Sequence, residues 1–293
     1  MYASDGIASS QTFSLAAKEV RYYSEALQQG YTALQSQGFI SRKDILTIQE
    51  TLEQNQAGFR KLPGTALVND RTKEVVYSPP SPEYIEELMD NFLSVFNNSS
   101  QWNIDPLVKM AILHYQFESI HPFYDGNGRT GRILNVLYLV KERLLDFPVL
   151  YLSRFINVNK GAYYRLLQAV RDDQQYEDWI MFILEGIART ALTSCHMVDQ
   201  IRKAMQSYKH TIRTNYPKMY SQDLINHLFN YPYSKITFLA QELKISYHTA
   251  RKYLELLVSV GLLEKRTIWR SSYYLNTALM AILYDAQREV LQL

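Results

Sequence analysis

His121-Pro-Phe-Tyr-Asp-Gly-Asn-Gly-Arg-Thr-Gly-Arg132 is the most polar and glycine-rich stretch of this 293-residue chain, and it separates two apolar patterns of helical period. Before it, Leu107, Met110, Ala111, His114 and Phe117 recur at helical spacing over 105–120. After it, Ile133, Leu134, Leu137 and Val140 share one face of a helix from about 129 to 143. The stretch is therefore the turn of an αα unit. Working outward, helical spacing also covers 15–36, 41–55, about 160–172 and 177–200, which predicts a mainly α body. Residues 65–78 differ. Val68–Arg71 reads as a turn and Lys73–Tyr77 as a strand, so a small β-hairpin is expected there. Pro79, Pro80 and Pro82 stop regular structure, and Ser81-Pro82-Glu83-Tyr84 restarts a helix.

The last third changes character. Two short helical patterns flank Lys244-Ile245-Ser246, with Ser246 as N-cap, and Glu264–Leu275 reads as a two-stranded ribbon. That is the outline of a winged helix-turn-helix, with the domain boundary near 205–220, where Pro217 interrupts a helical pattern. Charge follows the same division. Residues 202–293 carry 13 Lys and Arg against 6 Asp and Glu, while residues 1–201 carry 18 against 23.

No apolar run approaches the roughly 18 residues of a membrane helix, and the start, Met1-Tyr2-Ala3-Ser4-Asp5, has no basic segment followed by an apolar stretch. The single Cys195 excludes an internal disulfide and fits a reducing compartment such as the cytoplasm. It lies in a helical pattern, which argues against a nucleophile.

The loop has the parts of an anion site. Gly126 and Gly128 let the backbone take positive φ and approach a ligand closely. The helix that follows opens with unpaired N–H groups and the positive end of its dipole. Arg129 and Arg132 add forks suited to phosphate oxygens, and a cation at a helix start, where the dipole disfavours it, points to an anion nearby. Asp125 offers a carboxylate for Mg²⁺, which binds through one or two carboxylates plus substrate phosphates. His121, at the end of the preceding helix, can accept a proton near neutral pH. These parts suit transfer of a phosphorus-centred group.

The stretch matches every specified position of HPFx(D/E)GNGRxxR and so resembles the signature of the Fic family. Gly58-Phe59-Arg60-Lys61, Val75-Val76-Tyr77-Ser78-Pro79-Pro80, His114–Ile120 and Tyr151-Leu152-Ser153-Arg154 are also similar to that family, giving a resemblance over about residues 15–200. It implies a mainly α fold: an N-terminal helical extension (1–60), a Fic helical bundle with a β-hairpin flap (61–205) and a winged helix-turn-helix domain (206–293). It implies a protein adenylyltransferase with ATP as substrate and Mg²⁺ as cofactor. His121 would deprotonate a Tyr, Thr or Ser hydroxyl of a target protein, and Asp125 would hold Mg²⁺. Asn127, Gly126 and Gly128 would contact the α-phosphate. Arg129 and Arg132 would grip the β- and γ-phosphates, with Gly131 in the same loop. Phe123 would anchor the loop from below and Glu118 would support it. Val75, Val76 and Tyr77 would hold the target segment, and Tyr163 or Tyr164 would line an adenine pocket. Relatives often carry an inhibitory (S/T)xxxE(G/N) helix. Ser9–Ser14 holds the place where it would end, the first Glu is Glu19 followed by Val20, and autoinhibition by the N-terminus is expected to be absent.

Other readings are open. Gly126–Gly131 also fits G-x-G-x-x-G, but a helix precedes it and no βαβ unit surrounds it. His114, Glu118 and His121 share a helix face and could hold a metal, but packing and support of the loop is the favoured role of His114 and Glu118. Within the same chemistry stand transfer of UMP, phosphocholine or phosphate, and removal of AMP. Arg251, Lys252, Lys265, Arg266 and Arg270 could contact DNA phosphates, making the chain a nucleotide-sensing regulator. The same module could dock a protein, with Tyr247, Tyr253, Leu254 and Leu257 partly in its core. Surface aromatics are compatible with a homodimer.

Overall fold

Leu15–Gln37 (α1) and Arg42–Glu53 (α2) open the computed structural model, which describes residues 15–68, 73–98, 100, 102–269 and 271–289. The inhibitory-helix expectation at Ser9–Ser14 and the hairpin turn at Asn69–Arg71 lie outside the described residues, as does Arg270. Gly38, at φ 78, ends α1. Ser41 starts α2 through a capping box with Asp44, whose carboxylate accepts the Ser41 N–H at 2.8 Å. Leu67–Val68 (β1) pairs antiparallel with Val75–Tyr77 (β2), placing Leu67 opposite Tyr77. A 3₁₀ turn at Pro82–Tyr84 leads into Ile85–Asn97 (α3).

Pro106–Ile120 (α4) and Asn127–Lys141 (α5) follow. Asp105 caps α4 by accepting the Leu107 N–H at 2.8 Å, with Pro106 in the first turn. Both helices are buried nearly all round, so they form the centre of the body rather than its surface. This explains why polar residues on them, among them Lys109, His114, Glu118, Asn127 and Asn135, are buried. Leu152–Val158 (α6), Lys160–Asp173 (α7) and Tyr176–Asn215 (α8) complete the helical body. The fully buried Trp179 of α8 donates its indole N–H to the Ala111 carbonyl of α4 at 2.8 Å.

The sequence pattern ended this last helix near residue 200, whereas α8 runs on to Asn215. No Gly or Pro interrupts 187–216, and Tyr208 and Ile212 bury an i, i+4 pair that carries the helix onward. The chain divides into two compact units between Thr190 and Ala191, upstream of the interruption at Pro217.

The second unit contains Gln222–Asn230 (α9), Tyr233–Ser234 (β3), Ile236–Glu242 (α10), Tyr247–Ser259 (α11), Leu263–Ile268 (β4), Ser271–Asn276 (β5) and Thr277–Glu289 (α12). Helix, turn, helix and ribbon are present, with β3 added as a third strand in the order β3-β5-β4. Ser246 caps α11 by accepting the Thr249 N–H at 3.1 Å. Tyr208, Leu224, Leu239, Leu254, Leu257 and Tyr274 fill the core of the unit. Tyr247, expected partly in this core, is instead exposed, because it shares the outward face of α11 with His248, Arg251 and Lys252.

Candidate active site

The loop between α4 and α5 is fixed at every turn. His121 is the C-cap of α4 in the left-handed region (φ 48, ψ 59), which swings the chain away from the helix axis. Gly126, at φ 82, makes the second reversal, where glycine is required for conformation. Between them Phe123 is fully buried against the rings of Phe59 and Phe117, at 5.4 and 6.5 Å. The buried Asn127 amide grips the same residue. Its Oδ1 accepts the Phe123 N–H and its Nδ2 donates to the Phe123 carbonyl, both at 2.9 Å. Asn127 therefore spends its amide on the loop's own backbone. The Tyr124 hydroxyl accepts the N–H groups of Lys61 and Leu62, and Gln49 donates to the Asp125 carbonyl at 3.3 Å.

Arg60 braces the other side. Its Nε–H donates to the His121 carbonyl at 2.9 Å, its Nη2 donates to the carbonyls of Ile120 and Pro80, and its backbone N–H reaches the Pro122 carbonyl at 2.9 Å. A buried guanidinium thus ties the loop between α4 and α5 to the segment following the hairpin.

At the start of α5 no side chain caps the helix, since Gly126 has none. The first helical bond there is Thr130 N–H to the Gly126 carbonyl at 2.9 Å, leaving earlier N–H groups turned toward the loop. Asp125 is exposed and accepts the Gly126 N–H at 2.7 Å. Arg129 pairs with Glu53 at 2.6 Å, so the anion that its position at a helix start called for is, within this chain, a carboxylate at the end of α2. Arg132 donates its Nε–H to Ser153 at 2.9 Å. The glycines have distinct roles. A side chain on Gly126 would run into Glu53, one on Gly128 would meet Arg132 Nη1 at 3.0 Å, and one on Gly131 would meet Glu118 Oε1 at 2.9 Å. Only Gly126 of these takes positive φ, so Gly128 and Gly131 are needed for space.

Burial sets the charge states. It pushes the half-buried His121 imidazole down to about 4, with Arg60 and Arg171 acting in the same direction and the Glu118 carbonyl and Asp125 opposing. The ring is neutral at pH 7, and its Nδ1 makes no hydrogen bond within the protein. Burial raises the Glu118 carboxyl to about 7, against the pull of Arg132 and Arg171, and its Oε1 is likewise without a partner. His114 is held down to about 3 by burial, stacks on Trp179 and bonds the Tyr163 hydroxyl at 3.0 Å. It packs rather than ligates.

The structure thus brings His121, Phe123, Asp125–Arg129, Gly131 and Arg132 into one loop and helix start. Glu118 lies against Gly131 with its side chain, and meets His121 only through its backbone carbonyl. Val75 and Val76 are exposed on the hairpin, whereas Tyr77 turns inward and donates its hydroxyl to the Ser119 carbonyl at 2.8 Å. Tyr163 is buried and Tyr164 exposed. Arg251, Lys252 and Arg266 belong to the second unit, where Arg266 pairs with Glu264 at 2.8 Å. Sequence reasoning missed Glu53, Gln49, Ser153 and Arg171 as neighbours of this loop. Ser153 lies in the stretch Tyr151–Arg154 singled out above, but no local pattern marks the contact that any of the four makes, because each reaches the site from a distant segment.

Among the described residues no group of three or more His, Cys, Asp or Glu side chains could hold a metal by itself. One exposed carboxylate, Asp125, beside an uncapped helix start fits Mg²⁺, which takes most of its ligands from substrate and water.

Residues 39–139 match the model described as Fic/DOC family, and residues 204–279 match the model for the C-terminal domain of SoFic-like protein adenylyltransferases. The chain carries a Fic/DOC domain. It is 34% identical over 102 residues to the protein adenylyltransferase fic-1 of Caenorhabditis elegans, covering 34% of this chain and 20% of that protein. It is 37% identical over 86 residues to a probable protein adenylyltransferase of Aquifex aeolicus, covering 29% and 26%. Against the protein adenylyltransferase Fic of Aedes aegypti it is 27% identical over 154 residues, covering 52% and 30%. The chain thus spans less than a third of the length of these curated relatives. A crystal structure of a Fic family protein from Desulfovibrio desulfuricans G20 shares the fold, with TM-score 0.53 and 22% identity over 91% of this chain and 77% of that one.

Proposed function

We propose that this chain transfers AMP from ATP to a hydroxyl side chain of a target protein. The observation that carries the reading is a neutral, half-buried His121 and an uncapped helix start, joined by a loop that Arg60 and Asn127 hold rigid. His121 takes the proton of the acceptor hydroxyl, and the oxygen attacks the α-phosphorus. The bond to the β-phosphate oxygen breaks, and pyrophosphate leaves with its electron pair. The free N–H groups at the start of α5 and the side chains of Arg129 and Arg132 face the phosphates. Arg129 exchanges Glu53 for phosphate as it does so. Asp125 would hold Mg²⁺, which would supply charge neutralisation at the phosphates. The anionic nucleotide also raises the basicity of His121, which burial otherwise suppresses, so the base is strongest when substrate is present. Val75 and Val76 offer an exposed strand edge to the acceptor segment.

The test is incubation with Mg²⁺ and ATP labelled at the α-phosphate, with a cell extract as acceptor source, beside His121→Ala. Label on protein that disappears in the variant is expected. Protein label from the γ-phosphate in place of the α-phosphate would refute AMP transfer in favour of phosphate transfer.

A second reading concerns the C-terminal unit, which we interpret as a winged helix. Arg251 and Lys252 lie on the exposed face of α11 and make no salt bridge among the described residues, so this face suits the phosphates of duplex DNA. Binding of labelled duplex that weakens steeply with salt and is lost in Arg251→Ala/Lys252→Ala would support it; salt-insensitive or absent binding would not.

A further inference from the structure

Arg171 lies in the last turn of α7, where the helix dipole welcomes a cation. The dipole does not explain where its head goes. The guanidinium turns inward and lies over the Tyr77 ring of β2, 3.5 Å from the ring centroid. Its Nε is buried without a hydrogen-bond partner, and the described residues give it no salt bridge. Beneath it, Tyr77 donates its hydroxyl to the carbonyl of Ser119, two residues before His121. On the far side of the hairpin, Arg60 links the Pro80 carbonyl to that of His121. The exposed edge of Val75 and Val76 is thus attached to the catalytic end of α4 by two points, and Arg171 holds the first.

We propose that Arg171 is a positioning residue of the transfer reaction. It clamps Tyr77 onto the end of α4, fixes the height of β2 above His121, and so sets where an acceptor segment on the hairpin presents its hydroxyl. The inference rests on the adenylyl-transfer reading. Its charge has a second effect. The groups facing His121 are Arg60 from the segment before the hairpin, Arg171 from α7, and Asp125 from the loop. Those facing Arg171 are Tyr77 from β2, Tyr115 and Glu118 from α4, and Tyr163 from its own helix. Arg171 thus disfavours a protonated His121 and keeps the base free in mildly acidic solution.

The test uses the full chain with Arg171→Met and Arg171→Lys. In Arg171→Met, amide hydrogen exchange at Val75–Tyr77 speeds up tenfold or more, and Mg²⁺-ATP affinity by titration stays within about twofold. The α-phosphate labelling rate falls about tenfold or more, as expected when reacting groups lose alignment. The acid limb of its pH profile moves to higher pH, a change that loosened packing alone would not produce. Arg171→Lys keeps the wild-type acid limb but recovers only part of the protection, since an ammonium lacks the planar face that covers Tyr77. Wild-type exchange at the hairpin together with an unmoved acid limb in Arg171→Met would overturn the proposal. If the wild-type protein transfers no AMP, the adenylylation reading fails, and the exchange measurement still decides whether Arg171 clamps the hairpin.

Discussion

Replacing Asn127 by alanine removes two hydrogen bonds that nothing else in the loop can make. The amide is 3% exposed and both bonds are 2.9 Å long, one to the N–H and one to the carbonyl of Phe123. Each contributes about 1 kcal/mol net, and each buried backbone group left unpaired costs about 1–3 kcal/mol. After partial relaxation a loss of about 2–4 kcal/mol follows. With a urea slope of about 2–3 kcal/mol/M, the unfolding midpoint of the first unit drops by about 1 M. Tryptophan emission suits the assay, because Trp179 is fully buried in that unit, whereas Trp269 of the second unit is 88% exposed and changes little on unfolding. Asn127→Asp separates hydrogen bonding from volume. It still accepts the Phe123 N–H but turns a carboxylate oxygen toward the Phe123 carbonyl, so it is destabilised near neutral pH and recovers when acid restores a donor. If Asn127→Ala loses less than about 0.5 kcal/mol, or if Asn127→Asp matches the wild type at pH 7, the amide does not hold this loop.

Glycine positions give a paired test. Gly126→Ala forces a left-handed conformation at φ 82 and drives Glu53 off Arg129, for a loss of about 2 kcal/mol and of transfer. Gly161→Ala has open space in a helix and gains about 0.5–1 kcal/mol in the same urea titration. Glu118 has a folded value raised from 4.5 to about 7, so the folded state holds the extra proton and stability falls as pH rises through that window. The stability of Glu118→Gln relative to wild type should therefore grow by on the order of 3 kcal/mol between pH 4.5 and 7 and then level off. The buried His114, held at about 3, acts in the opposite sense. The unfolded ring takes up a proton below about 6.5 and the folded ring does not, so stability falls on acidification, and His114→Gln flattens the dependence of the urea midpoint between pH 6.5 and 4. In the second unit, the buried His227 bridges Glu242 at 2.5 Å and Ser234 at 2.6 Å. His227→Ala is expected to cost about 2–4 kcal/mol, read as faster amide exchange in β5.

The sequence by itself determined the helical body, the loop at its centre and the residue types that loop carries. Apolar spacing on either side of residues 121–132 specifies two helices, and the glycine, histidine and arginine positions between them are local in the chain. Ser246 likewise announces its helix through a cap that needs only neighbouring residues. Tertiary structure decided what those residues touch. Asn127 reads as a ligand group in sequence, yet folding turns its amide onto Phe123. Arg129 reads as a free phosphate fork, yet α2 brings Glu53 to it. Arg60 and Arg171 stand 61 and 50 residues from His121, and only the packing of the hairpin and α7 around α4 sets their charges beside it. The depressed imidazole and the raised carboxyl exist for the same reason. Their cause is burial, which depends on every element packed around α4 and α5, and no local pattern of residues carries it.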